Sequence, residues 1–486
     1  MALELEDIQG NVLRGYRHPF AAHVPLRVVD AASGRRLIRD LLPGVTTAAP
    51  WFGEPPATTL NIAISFAGMC ALGVDDEHLR SFPAEYREGM QARAEQQLLD
   101  VGPSHPSLWE DGLRAGDIHL LVSIYGRTEH DLEERLGLVQ RRLGSADDAV
   151  RLGRVQRANA LLVDGTRREH FGFVDGLGQP AIEGVAGRAH PGQGVATDAG
   201  LKLTRLGPLP VPHPVRAGWR PVKAGEFVLG YHDEDDVVAL APTTPLGRNG
   251  TFMVLRKLEQ DVVAFRRLTE ELGARNYSGD SALAAAKIVG RWEDGTPLAL
   301  SPNRADAAIS GDPDRLNDFR FDDDLPGHGC PLGAHIRRAN PRASLPGKAH
   351  RTRRHRIVRR GMPYGPWLDT GAPEDGHSRG LLFVCFQASI VRQFEVVNRW
   401  CVQGSTIGIG QDRDYLTDIP EDGMTVQGDP PIFLQAHGPL VTTRGGEYLF
   451  VPGMSALAAI AVRQATSSTS AAPARRPVGV GAEEEA

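Results

Sequence analysis

Cysteine is scarce in this 486-residue chain: Cys70, Cys330, Cys385 and Cys401 are the only four, and none is at CxxC or CxxCH spacing. That excludes a disulfide-stapled scaffold and covalent c-type haem attachment, and it fits reduced, buried thiols. Long apolar runs are also missing, since LLFVCF and ALAAIAV are too short to span a bilayer. Positive charge is not in excess. With 54 Lys and Arg against 60 Asp and Glu, the net charge of −6 argues against nucleic acid or an anionic membrane as partner. No G-x-S-x-G elbow and no G-x-x-x-x-G-K-[ST] loop occurs, so serine-hydrolase and P-loop chemistry are set aside. His350 and His355 lie five apart with no second ligand pair, which disfavours zinc. The opening MALELEDIQGNVLRGY carries Glu4, Glu6 and Asp7 and no apolar h-region, which predicts a soluble, cytoplasmic protein.

What is present is ordinary globular material, 41% hydrophobic and 23% charged, in a chain long enough for two domains. Four segments pass from a short β-rich run into apolar positions three and four apart: those beginning at His23, Ile118, Thr251 and Gly380. Strand-then-helix units repeated in this way predict an α+β fold with helices against the sheets, present twice. The Pro/Gly-rich stretch before residue 225 cannot be a continuous helix or central strand and marks the junction. The expected division is 1–190, a connection over 191–225, 226–465, and a disordered tail over 466–486 that lacks apolar periodicity.

Two segments stand out chemically. HFGFVDGLGQP, residues 170–180, packs a histidine, an aspartate and three glycines into eleven residues. From His335 to Arg360 the chain carries ten Lys or Arg and no acid. The basic run can be read as a solvated face, as an RNA-contacting patch, or as the wall of a pocket for an anionic cofactor, where arginines pair with carboxylates two-pronged.

FGFVDGLGQP contains G-x-x-D-G (Gly172, Asp175, Gly176). Together with CPLGAHIRRANPR, IVRRGMPYG, the opening DIQGNVLRGY and the late GEYLFVPGMSAL, it resembles the dye-decolourising peroxidase family, in its larger bacterial and fungal form. The resemblance implies two ferredoxin-like domains with antiparallel sheets and peripheral helices, and one haem b held between sheet and helices. It implies His335 as the axial iron ligand, with a carboxylate behind it for which Glu395 is the expected choice. Asp175 takes the distal acid–base role and Arg359 the distal cation, with Arg360 as its alternate. Gly172 and Gly176 let the backbone approach the macrocycle. Leu381 and Phe383 form the distal wall, and Arg342 and His350 meet the propionates. Tyr231, Trp367 and Trp400 are candidate surface relays toward bulky donors. The implied reaction reduces H2O2 and oxidises dye-like or phenolic donors. A haem-carrying or iron-handling protein with incidental peroxidase activity is the alternative. A homo-oligomer or an encapsulating partner is compatible with either.

Overall fold

Strands from both halves of the chain hydrogen-bond into one ten-stranded antiparallel sheet. The computed structural model describes residues 2–143, 149–185, 187, 189–196, 219–239, 242–243, 245–345, 349–404, 410–417 and 423–462. Most of the expected 191–225 connection and all of the expected 466–486 tail lie outside these.

In the N-terminal half, β1 (Phe20–Val28) leads into α1 (Ala31–Leu41), then β2 (Thr58–Ser65), β3 (Leu120–Gly126), α2 (Glu129–Leu143) and the short β4 (Val150–Leu152) and β5 (Gln156–Asn159). The local sequence dictates each helix. Asp30 caps α1 by accepting from the Ser33 amide, and Leu37, Ile38 and Leu41 form its buried stripe. Along α2, Leu132, Leu136, Val139 and Leu143 face inward, while Glu129 and Asp131 start the helix and Arg141 and Arg142 end it, matching its dipole. The strand order β2-β3-β1-β4 is ferredoxin-like.

The C-terminal half repeats the plan. β6 (Thr251–Gln260) and α3 (Val262–Asn276) are followed by a long loop region containing α4 (His335–Ala339). Then come β7 (Val358–Arg359), β8 (Met362–Tyr364), β9 (Gly380–Gln387), α5 (Val396–Val402) and β10 (Val441–Val451). The order β7-β9-β6-β10 repeats that of the first half. The two halves join where β10 meets β2, through Leu449 opposite Ser65 and Phe450 opposite Ile64.

The largest apolar core lies where Val24, Ile62 and Val122 of the first half meet Phe252, Val254 and Phe450 of the second, with α1 and α2 packed over it. At the far edges, Ala158 of β5 packs with Met362 and Tyr364 of β8, so the sheet curls toward closure. The face of β6 and β9 that carries Arg256, Leu258, Leu381 and Phe383 turns instead toward a cavity, with α4 and α5 on its far side.

Candidate active site

The cavity has a volume of about 1300 Å³ and receives side chains from both halves. His335 opens α4, directly after a turn in which the Ala334 amide donates to Pro331 O. Its Nδ1 lies 2.6 Å from Asp414 Oδ2. Asp414 is fully buried and also accepts from Thr417 Oγ1 at 2.7 Å and from the Leu416 amide at 3.0 Å. Burial works against charge on both partners. Their mutual attraction outweighs it, raising the pKa of His335 and lowering that of Asp414. In the neutral ring the hydrogen bond selects the Nδ1–H tautomer, which puts the lone pair on Nε2 of a residue that lines the cavity.

The imidazole's carboxylate is therefore Asp414 and not the expected Glu395. Glu395 is buried elsewhere, bound two-pronged by Arg93 at 2.7 and 2.8 Å and by the Tyr448 hydroxyl at 3.0 Å. Nothing in QDRDYLTD announces Asp414, because its role depends on a contact spanning 79 positions.

The G-x-x-D-G segment enters from a hairpin pairing Leu161–Val163 with Thr166–Arg168. Phe171 and Phe173 are buried against Phe265, with ring centroids at 4.4 and 6.3 Å. Half-buried Glu169 ties the turn down by accepting from the Phe171 and Phe173 amides and from Gln260. Gly172 and Gly176 have φ of +102° and +80°, left-handed values that suit glycine. A Cβ on Gly176 would meet nothing within 4 Å, consistent with its place on the cavity wall. Asp175 is held by its amide to Arg167 O, and its carboxylate accepts from the Gly176 amide at 2.6 Å.

Arg359, at the end of β7, also lines the cavity, and its guanidinium donates to Leu177 O at 2.5 Å. His335, Asp175, Arg359, Gly176, Leu381 and Phe383 thus share one chamber. Arg360 reaches the same cavity, but its Nε donates to Asn11 O.

Other expectations are corrected. Arg342 does not line the cavity; it donates to Asn317 O and Phe319 O and stacks on the Phe319 ring at 3.8 Å. The buried Arg291, which does line it, lies nearby on Asn317. The His350 side chain lies outside the described residues. Tyr231 is buried with its hydroxyl on Asn249, and Trp400 is buried beside His355, so neither is a surface relay. Trp367 is partly exposed and stacks near His170 at 6.5 Å.

An imidazole backed by a carboxylate, facing a chamber that also holds an acid and an arginine, is the construction of a peroxidase. Comparison with known proteins makes this specific. Residues 7–154 match the DyP dimeric alpha+beta barrel domain, and residues 231–408 match the Dyp-type peroxidase C-terminal domain. A dye-decolorizing peroxidase of Mycena epipterygia is 28% identical over 503 residues, covering 95% of this chain and 87% of the relative. A multifunctional dye peroxidase of an Amycolatopsis species is 28% identical over 495 residues, covering 94% and 96%. The structure of an ancestral D-type dye decolorizing peroxidase superposes with a TM-score of 0.77 at 29% identity, covering 94% of this chain and 99% of that one. A dye-decolorizing peroxidase in complex with 2,6-dimethoxyphenol gives 0.75 at 27% identity, covering 94% and 100%. The chain belongs to the dye-decolourising peroxidase family and is a DyP-type peroxidase.

Proposed function

We propose that the cavity holds one haem b, which His335 would hold through Nε2, with Asp175 and Arg359 available to act on peroxide. The single observation that carries this reading is the His335–Asp414 pair, an imidazole oriented through Nδ1 by a buried carboxylate, with Nε2 left to coordinate iron once deprotonated. When bound, the haem would supply the redox-active iron for peroxide reduction. The protein's task is to place protons and charge. Asp175 would take a proton from one peroxide oxygen and deliver it to the other, which then leaves as water, and Arg359 would stabilise the negative charge that develops as the O–O bond breaks. Asp414 draws on the imidazole Nδ1–H and makes the ring a stronger donor. Leu381 and Phe383 keep the distal wall apolar. A relay through Trp367, the one partly exposed ring of the three expected, would serve donors too large to enter.

The names of the relatives and the phenol in a related structure support dye-like and phenolic donors. Among the described residues no helix is long and apolar enough to cross a membrane. Four cysteines outside any disulfide support a reducing, cytoplasmic setting. The same reading keeps the division into 1–190, 191–225 and 226–465.

The test is an absorption spectrum of the haem-supplemented protein, followed by H2O2-dependent turnover of 2,6-dimethoxyphenol and of a dye. A Soret band with turnover is expected, whereas a Soret band without turnover would favour haem carriage. Light scattering on the same sample reads whether the chain works alone, as a homo-oligomer, or needs a shell-forming partner.

A further inference from the structure

The cavity extends past Asp175 into a side lobe at the N-terminal segment, and this lobe is strongly cationic. Arg14, Arg17, Arg167 and Arg360 all line it, and among the described residues none of the four forms an ion pair with a carboxylate. Arg360 uses only Nε, toward Asn11 O. Arg14 donates to Ala49 O and lies over the Trp51 ring at 4.0 Å. Of the three acids that share the cavity, Glu169 is engaged by two amides and Gln260, Asp100 by Arg256 and Thr443, and Asp175 accepts from the Gly176 amide.

Two further polar groups on the wall lack partners although both residues are almost wholly buried. Asn11 is 3% exposed with its Oδ1 unpaired, and Tyr125 is 5% exposed with its hydroxyl unpaired. Buried polar atoms in native proteins are seldom left so, and a cluster of uncompensated guanidiniums beside them calls for an anion. Between the cations the wall is apolar, formed by the Tyr16 and Tyr125 rings and Met362, which suits a ring better than an inorganic ion. The lobe is also wired to the proposed distal acid. Arg167 accepts the Asp175 amide at its carbonyl and donates to Arg17 O at 2.6 Å.

We propose that this lobe is a donor subsite that receives the carboxylate or sulfonate of an aromatic electron donor and holds its ring beside the Asp175 turn. The proposal rests on the peroxidase reading above and names its substrate class. Arg17 and Gly15 are exposed at the mouth, while Arg360 lies deeper, with Gly15 passing so close that a Cβ there would sit 3.4 Å from its guanidinium.

Benzoate, which cannot stand in for a phenol as donor, is titrated calorimetrically into the holoenzyme and into the Arg360→Gln and Arg17→Gln variants. Loss of a charge-assisted hydrogen bond should weaken benzoate binding about 10-fold in Arg360→Gln, with a smaller loss in the screened Arg17→Gln. The preference in kcat/KM for 4-hydroxybenzenesulfonate over phenol should fall by a similar factor. No benzoate binding, equal affinity in all three proteins, or loss of haem from either variant would overturn the proposal, the last by reassigning the arginines to the cofactor. If Arg360→Gln does not fold, the Arg17→Gln/Arg167→Gln double variant decides on the same readouts. Wild-type turnover of phenol tests the peroxidase reading separately, because benzoate binding needs no catalysis.

Discussion

His335 Nδ1 and Asp414 Oδ2 stand 2.6 Å apart, and the carboxylate's other contacts, to Thr417 and the Leu416 amide, leave it no freedom to turn away. Replacing Asp414 by Asn keeps the shape and removes the charge. The expected result is retained haem, a more positive reduction potential, and peroxide turnover lower on the order of 10–100-fold. An unchanged potential would show that the carboxylate does not act on the imidazole.

His335→Ala removes the one imidazole that, among the described residues, lines the cavity and is oriented by a buried acid. Haem binding should be lost or its axial signature changed, as read by the Soret band and by electron paramagnetic resonance. Retention of both would take the ligand role away from His335.

Asp175→Asn and Arg359→Leu test the opposite wall. Removing a general acid–base group should slow reaction with peroxide roughly 10²–10⁴-fold, and removing one charge-stabilising donor roughly 10²–10³-fold. Stopped-flow mixing with H2O2 separates the two. If Asp175→Asn reacts normally while Arg359→Leu does not, the arginine carries the step.

Glu395→Ala should behave quite differently from Asp414→Asn. It removes the buried carboxylate from the partly buried Arg93, which keeps Glu88, and from the Tyr448 hydroxyl, and losing a hydrogen bond to a charged group costs roughly 1.5–3 kcal/mol. Denaturant melts should show that loss while the haem spectrum stays as in the parent. A changed axial signature would return Glu395 to the site.

Glu447 gives a prediction for pH. It is buried with only the Met90 and Tyr448 amides as donors, and burial pushes its pKa from 4.5 up to about 7. The folded state therefore holds the proton more tightly than the unfolded chain. This contribution to stability is fully present below pH 4.5 and is lost as pH rises through about 7. Glu447→Gln should flatten the fall in Tm between those limits and leave the variant the more stable protein at higher pH. A pH profile parallel to the parent's would refute this.

The strand-then-helix units were legible because apolar periodicity is local: the segments beginning at His23, Ile118, Thr251 and Gly380 each hold a strand leading into a helical segment. The α+β class followed from them, and the resemblance supplied the ferredoxin-like order. His335, Asp175 and Arg359 sit in compact motifs whose glycines and prolines constrain the backbone, so they could be singled out from short stretches. Asp414 could not, since its neighbours carry no motif and its partner is distant in the chain. Glu395 drew attention as an acid after a promising strand, but Arg93, 302 positions earlier, binds it in the fold. Arg342 misled for a similar reason: a guanidinium in a basic run can be absorbed by backbone carbonyls as readily as by a cofactor. The seam between the halves rests on two facing residue pairs, far too little for any pattern to betray.

That seam bears on how the enzyme is made. The strand Val441–Val451 follows every other member of the ten-stranded sheet, yet among the described strands of its half it alone pairs with a strand of the other half. A nascent chain emerging from the ribosome would already carry the segments bearing Asp175 and His335 without the girder that sets them on a common frame. On the proposed haem reading, cofactor capture would be a late event in biosynthesis, and truncation just ahead of Val441 should yield an apoprotein even where every residue lining the chamber up to that point has been translated.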